Sequence, residues 1–126
     1  MGEESAGMEE RMRARTKDFG LRVIRLFRAL PRNEEARVIG RQLLRSGTSV
    51  GGNYRAVTRA RSRREFIAKM GVVLEEADES AYWLEVLVDA RIMPGTKLKP
   101  LYDESEELVK IFAAALRTAR RKPSGT

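Results

Sequence analysis

The 126-residue chain contains no histidine and no cysteine. The first absence removes the side chain that most often moves protons near neutral pH, and the second removes disulfides, thiolate nucleophiles and the usual zinc sets. Ser46, Thr48 and Ser49 offer hydroxyls with no histidine to activate them, so a hydrolase triad is unsupported. Di-iron bundles draw on Glu-x-x-His pairs, which this chain lacks. No window of about 18 apolar residues exists to span a bilayer, and the N-terminus MGEESAGMEERMRART has no apolar run of a secretory signal. A soluble, cytoplasmic protein that is not an enzyme, needs no cofactor or metal and does not contact membrane is the expectation. No stretch alternates apolar and polar residues in the manner of a strand.

What is present is helical spacing and charge. Apolar residues make up 42% of the chain, enough for one small core. Residues 11–64 hold sixteen bases against three acids, a net +13, whereas residues 65–107 hold four bases against eleven acids, a net −7. Three uses fit such segmentation: a solvated basic surface, a site for RNA or DNA, or pairing with the acidic half of the same or another subunit.

Four periodic stretches are separated by short breaks. The first helix is expected from about Glu10 to Leu30, on the spacing of Phe19, Val23, Phe27 and Leu30, with Pro31 and Asn33 ending it. The second begins at Glu34 or Glu35, follows Ala36, Ile39, Leu43, Ser46, Val50, Asn53 and Val57, and ends near residues 60–62. Ser62 and Glu65 form a capping-box pattern that starts the third, whose seam is Phe66, Met70, Val73, Ala77, Ala81, Leu84 and Val88. Met93-Pro94-Gly95-Thr96 reads as its stop, and the fourth runs from Lys97 or Pro100 through Leu108, Phe112 and Ala119. The short loops force antiparallel neighbours, so the fold class is all-α: an up-down-up-down four-helix bundle over residues 10–121, with disordered tails over 1–9 and 122–126.

The second helix carries Gly40, Gly47, Gly51 and Gly52, each costing up to about 1 kcal/mol of helix propensity against alanine. Gly40, Gly47 and Gly51 share a face on which another helix can approach closely. Because Val50, Tyr54 and Val57 continue the spacing, the GTSVGGN segment is read as helix rather than loop. Arg37, Arg41, Arg45, Arg55 and Arg59 line another face, with Arg61, Arg63 and Arg64 crowding the end. Arg15, Arg22, Arg25 and Arg32 make a comparable stripe on the first helix. These arginines are the candidate contacts for nucleic acid or for a partner, since the guanidinium fork suits phosphate and carboxylate alike. Glu75, Asp78, Tyr82, Glu85 and Asp89 share a face of the third helix, read as a solvated or salt-bridged surface. Pairing the second and third helices about a turn near residue 61 puts Ser46 level with Glu76 and Leu43 level with Glu79. A polar network of Gln42, Arg45, Ser46, Ser49, Asn53, Glu76 and Glu79 is therefore expected, with Asn53 near Lys69.

The run from Gln42 to Leu87 resembles the four-helix-bundle proteins encoded in intervening sequences of bacterial 23S rRNA genes. The resemblance rests on Gln42 and Leu43, then Ser49, Val50 and Asn53, then Phe66, Glu76, Ala77, Glu79, Tyr82, Trp83 and Leu84, and extends weakly over residues 19–116. It implies a left-handed bundle assembling into a homopentamer without enzymatic activity. It also implies kinship with the accessory variability protein of diversity-generating retroelements, a basic pentamer that works with a reverse transcriptase and nucleic acid. Many relatives carry Asn-Ile-Ala-Glu-Gly where this chain has Asn53, Tyr54, Arg55, Ala56 and Val57, so any role of that glutamate does not carry over.

Overall fold

Two side-chain caps set where the central helices begin. In the computed structural model, which describes residues 2–121 and side chains from residue 7, Asn33 is extended and its Oδ1 accepts the Ala36 N–H at 2.9 Å. Glu34 and Glu35 occupy the first turn that follows, where the helix dipole favours negative charge. Ser62 Oγ accepts the Glu65 N–H at 3.0 Å, and Glu65 Oε1 reaches back to the Arg61 N–H at 3.1 Å, one residue before the cap. The four helices are α1 (Gly2–Ala29), α2 (Glu34–Thr58), α3 (Arg63–Asp89) and α4 (Gly95–Arg121).

α2 ends at Thr58, just ahead of 60–62, and α4 begins at Gly95, just ahead of Lys97, but two boundaries differ more from expectation. α1 starts at Gly2, not near Glu10, so it includes residues expected as a tail; the segment has no proline and is rich in good helix formers, and nothing in it interrupts the helix. The other expected tail, over 122–126, lies outside the described residues. α3 ends at Asp89, ahead of the Met93–Thr96 stop. There Arg91 takes a left-handed φ of 61°, its N–H donates to the Val88 carbonyl at 2.9 Å, and the Ile92 N–H donates to the Leu87 carbonyl at 2.9 Å. This is the double hydrogen bond that usually ends on glycine. Relieving an L-residue of that conformation by Arg91→Gly is expected to raise stability by about 1 kcal/mol, read as a higher urea midpoint at unchanged slope; a lower midpoint would contradict it.

Each helix packs against its neighbours in the chain, and α1 meets α4 least. The level pairs Gly20 with Thr48 and Thr16 with Gly51 run α1 and α2 antiparallel, and Glu85 with Tyr102 and Arg63 with Ala119 do the same for α3 and α4. Phe19, Val23, Leu43, Val50, Val73, Leu84, Leu108 and Phe112 are at most 1% exposed and come from all four helices, which makes one core. The GTSVGGN segment is continuous helix. Its glycines act as expected at two positions: a Cβ on Gly47 would lie 2.7 Å from Val23 Cγ2, and one on Gly51 would lie 3.3 Å from the Thr16 carbonyl oxygen. α1 thus rests directly on the backbone of α2.

Four hydroxyls are buried within this core: Thr16, Ser46, Ser80 and Ser105. Each lies within hydrogen-bond reach of a carbonyl of its own helix, as Ser80 Oγ lies 2.8 Å from that of Glu76. Ser80 and Ser46 also bond to each other at 3.0 Å and so tie α3 to α2. Ser46 therefore meets Ser80, one turn beyond the expected Glu76. The turn between α2 and α3 is centred near residues 60–61 but the two helices are offset, which shifts the level pairs to a higher sum than 122.

Candidate nucleic-acid and subunit interface

Arg45 is the one arginine of the α2 stripe that the bundle itself pairs among the described residues. Its guanidinium reaches across to α3, with Nη1 3.2 Å from Glu76 Oε2 and Nη2 bonded to Glu79 Oε2. Glu79 also accepts the Trp83 indole N–H at 3.0 Å. That hydrogen bond, and then the one from Arg45, hold the Glu79 carboxyl below its ordinary 4.5, while the two glutamates raise Arg45 further. A carboxyl lowered on folding contributes stability that is present above its unfolded pKa and lost as pH falls through the folded value. The cluster is half exposed, so its worth is at most about 1 kcal/mol. The melting temperature of the wild type is expected to converge on that of Glu79→Gln as pH drops below 4.5; curves that stay parallel would remove the cluster from the stability of the fold.

The rest of the expected polar network is local. Gln42 is exposed and makes no hydrogen bond among the described residues, because it lies on the outer edge of α2 above the Arg45 cluster. Asn53 donates from Nδ2 to the Ser49 carbonyl at 2.9 Å within α2 and does not engage Lys69, while the Ser49 side chain is half-buried.

The candidate arginines divide into two groups. Arg63 donates to the Ala119 carbonyl at 2.9 Å, stapling the start of α3 to the end of α4. Arg61 approaches Glu65 loosely at 3.9 Å, and Arg37 lies 5.8 Å from the centre of the Phe27 ring. Arg15, placed by its spacing with the basic stripe of α1, instead forms a two-pronged pair with Glu104 of α4 at 2.7 and 2.8 Å and braces the weakest seam of the bundle. By contrast, Arg25, Arg41, Arg55, Arg59 and Arg64 are exposed, Arg22 is half-buried, and none forms an ion pair among the described residues.

A groove of about 700 Å³ runs along the outer seam of α1 and α2. Arg13 and Lys17 of α1 and Arg55 and Arg59 of α2 stand at one end of it, Leu21 and Ile24 at the other, and Gly20, Gly51 and Gly52 lie between. Arg13 and Lys17 were not singled out from sequence; they become visible only once the contact of Gly20 with Thr48 fixes which residues of α1 lie opposite Arg55. The other side of the molecule carries Glu75, Asp78, Glu85 and Asp89, all exposed, around Tyr82, which is 55% exposed.

The shifted groups are arginines and a glutamate driven further into their charged forms, together with Tyr54 and Tyr102, both raised chiefly by burial. None is moved toward neutral pH, where an acid–base catalyst titrates. Among the described residues no group of three acids is gathered to hold a metal ion, and no helix is long and apolar enough to cross a membrane.

The fold and surface define a class, the all-α four-helix bundles, with the basic charge on α1 and α2 and the acidic charge on α3. Within that class the chain belongs to the 23S rRNA-intervening sequence protein family, which matches residues 9–114. It is similar to the crystal structure of a protein of unknown function from the S23 ribosomal protein family of Bacteroides thetaiotaomicron VPI-5482. That similarity has a TM-score of 0.77 at 32% identity and covers 82% of this chain and 96% of the other. No curated protein matches the chain.

Proposed function

We propose that this protein is a non-enzymatic homo-oligomer, pentameric as its family resemblance implies, that binds RNA or DNA phosphates in the cytoplasm through the arginine faces of α1 and α2. The observation that carries the reading is the set of exposed arginines that form no ion pair among the described residues, Arg25, Arg41, Arg55, Arg59 and Arg64. Clustered like charges raise the local concentration of anions and steer polyanions toward that surface. Where many relatives carry Asn-Ile-Ala-Glu-Gly this chain has Asn53-Tyr54-Arg55-Ala56-Val57, which loses the glutamate at Ala56 and gains a base at Arg55; the more basic α2 favours a second reading, an accessory protein acting with the reverse transcriptase of a diversity-generating retroelement. Location of the gene inside a 23S rRNA gene or beside a reverse-transcriptase gene separates the two. Titration with a structured RNA at several salt concentrations tests what they share; absence of binding at low salt would refute it.

A further inference from the structure

Two mid-helix glycines, Gly52 exposed and Gly71 half-buried, have no close neighbour within the fold. A Cβ added to Gly52 of α2 or to Gly71 of α3 would meet nothing within 4 Å, yet each costs its helix roughly 1 kcal/mol relative to alanine. Gly52 lies in the α1/α2 groove beside Arg55 and Arg59. Gly71 lies on the acidic face of α3, in line with Glu75, Asp78 and Tyr82 at steps of four, three and four residues. The two patterns are mirrored: glycine, then two bases at steps of three and four; glycine, then two acids at steps of four and three.

We propose that the groove between α1 and α2 is the seat of a second copy of this chain, which enters it with the Gly71–Tyr82 face of its α3. Paired glycines let the two helix backbones approach, Arg55 and Arg59 meet Glu75 and Asp78, and the exposed Tyr82 follows next along the same face. In this register the entering α3 runs in the same direction as α2, so that Gly71 is level with Gly52 and Asp78 with Arg59, seven residues on in each helix. Groove and ridge lie on different faces of one molecule, so the contact is head-to-tail and propagates until a ring closes. The assignment rests on the self-association proposed above and names the surfaces that perform it. It also leaves Arg25, Arg41 and Arg64, outside the groove, available to nucleic acid in the assembly.

The experiment uses two full-length variants, with mass read by light scattering and folding by circular dichroism. Gly52→Trp fills the groove from a position where the fold leaves room, and Glu75→Arg with Asp78→Arg reverses the ridge. Each variant alone is expected to be a folded monomer. Mixed, they retain one working groove and one working ridge, and are expected to form a heterodimer of twice the monomer mass and nothing larger. An oligomer that survives Gly52→Trp would overturn the placement while leaving self-association intact. A wild-type chain that is monomeric in low and high salt would instead sink self-association itself. Should Gly52→Trp abolish RNA binding at unchanged oligomer mass, the groove belongs to nucleic acid and the assignment to a second copy is wrong.

Discussion

Phe112→Ala is expected to destabilise the bundle by about 3–5 kcal/mol, a large part of the 5–15 kcal/mol that holds a domain of this size together. Phe112 is 1% exposed, and its ring lies 5.9 Å from that of Tyr54 across the core, so it joins α4 to α2, the diagonal pair of the bundle. α4 has few other ties on that side, since it touches α1 least and relies there on the Arg15–Glu104 pair. Truncation leaves a cavity that rigid neighbours cannot fill, and the Tyr54 ring loses its partner. Urea denaturation measures the loss as a lower midpoint. Val38→Ala supplies the contrast: its side chain is 50% exposed, and the midpoint should move by less than about 0.5 kcal/mol equivalent. A Phe112 variant as mild as the Val38 variant would mean that the core is not packed as described.

The second large effect is on nucleic-acid affinity. Binding that neutralises six to ten phosphates weakens by about 10³–10⁵ between 50 and 200 mM salt, because each neutralised phosphate releases condensed counterions. With Arg25, Arg41, Arg64 and their counterparts on neighbouring copies exposed, contacts in that range are within reach of an oligomer. Replacing Arg25 and Arg41 by alanine should lower affinity for every RNA sequence alike and reduce the slope of log affinity against log salt by about two per copy engaged. A loss confined to one sequence would point instead to base recognition. An unchanged slope would remove these two arginines from the contact.

Most of the architecture was legible because the signals for it are local. Asn33 and Ser62 announce their helices through hydrogen bonds that span three residues, and the spacing of Leu43, Val50 and Val57 alone locates the buried face of α2. The stop of α3 was missed because its left-handed residue is an arginine, so the turn is held by backbone hydrogen bonds that carry no composition cue. The polar network was half legible. Arg45 has a long enough side chain to reach both Glu76 and Glu79 whatever the offset of the helices by one turn, whereas the short hydroxyl of Ser46 finds its partner only at the true offset, in Ser80. Arg15 and the groove were illegible for a related reason. Whether a base on α1 faces solvent, Glu104 or Arg55 depends on how the helices are arranged around the core, and helical spacing describes one helix at a time.

The chain has one tryptophan, and its position gives it two jobs as a reporter. Trp83 donates its N–H to Glu79 in the Arg45 cluster on the inner seam, and its ring stands edge-on to Tyr82, 4.9 Å away, at the outer face of α3. Light emitted by a single residue therefore carries information from inside the subunit and from its exterior. Acid should alter it through Glu79, arrival of a neighbour should alter it through Tyr82, and the two changes can be told apart in solution without attaching any dye.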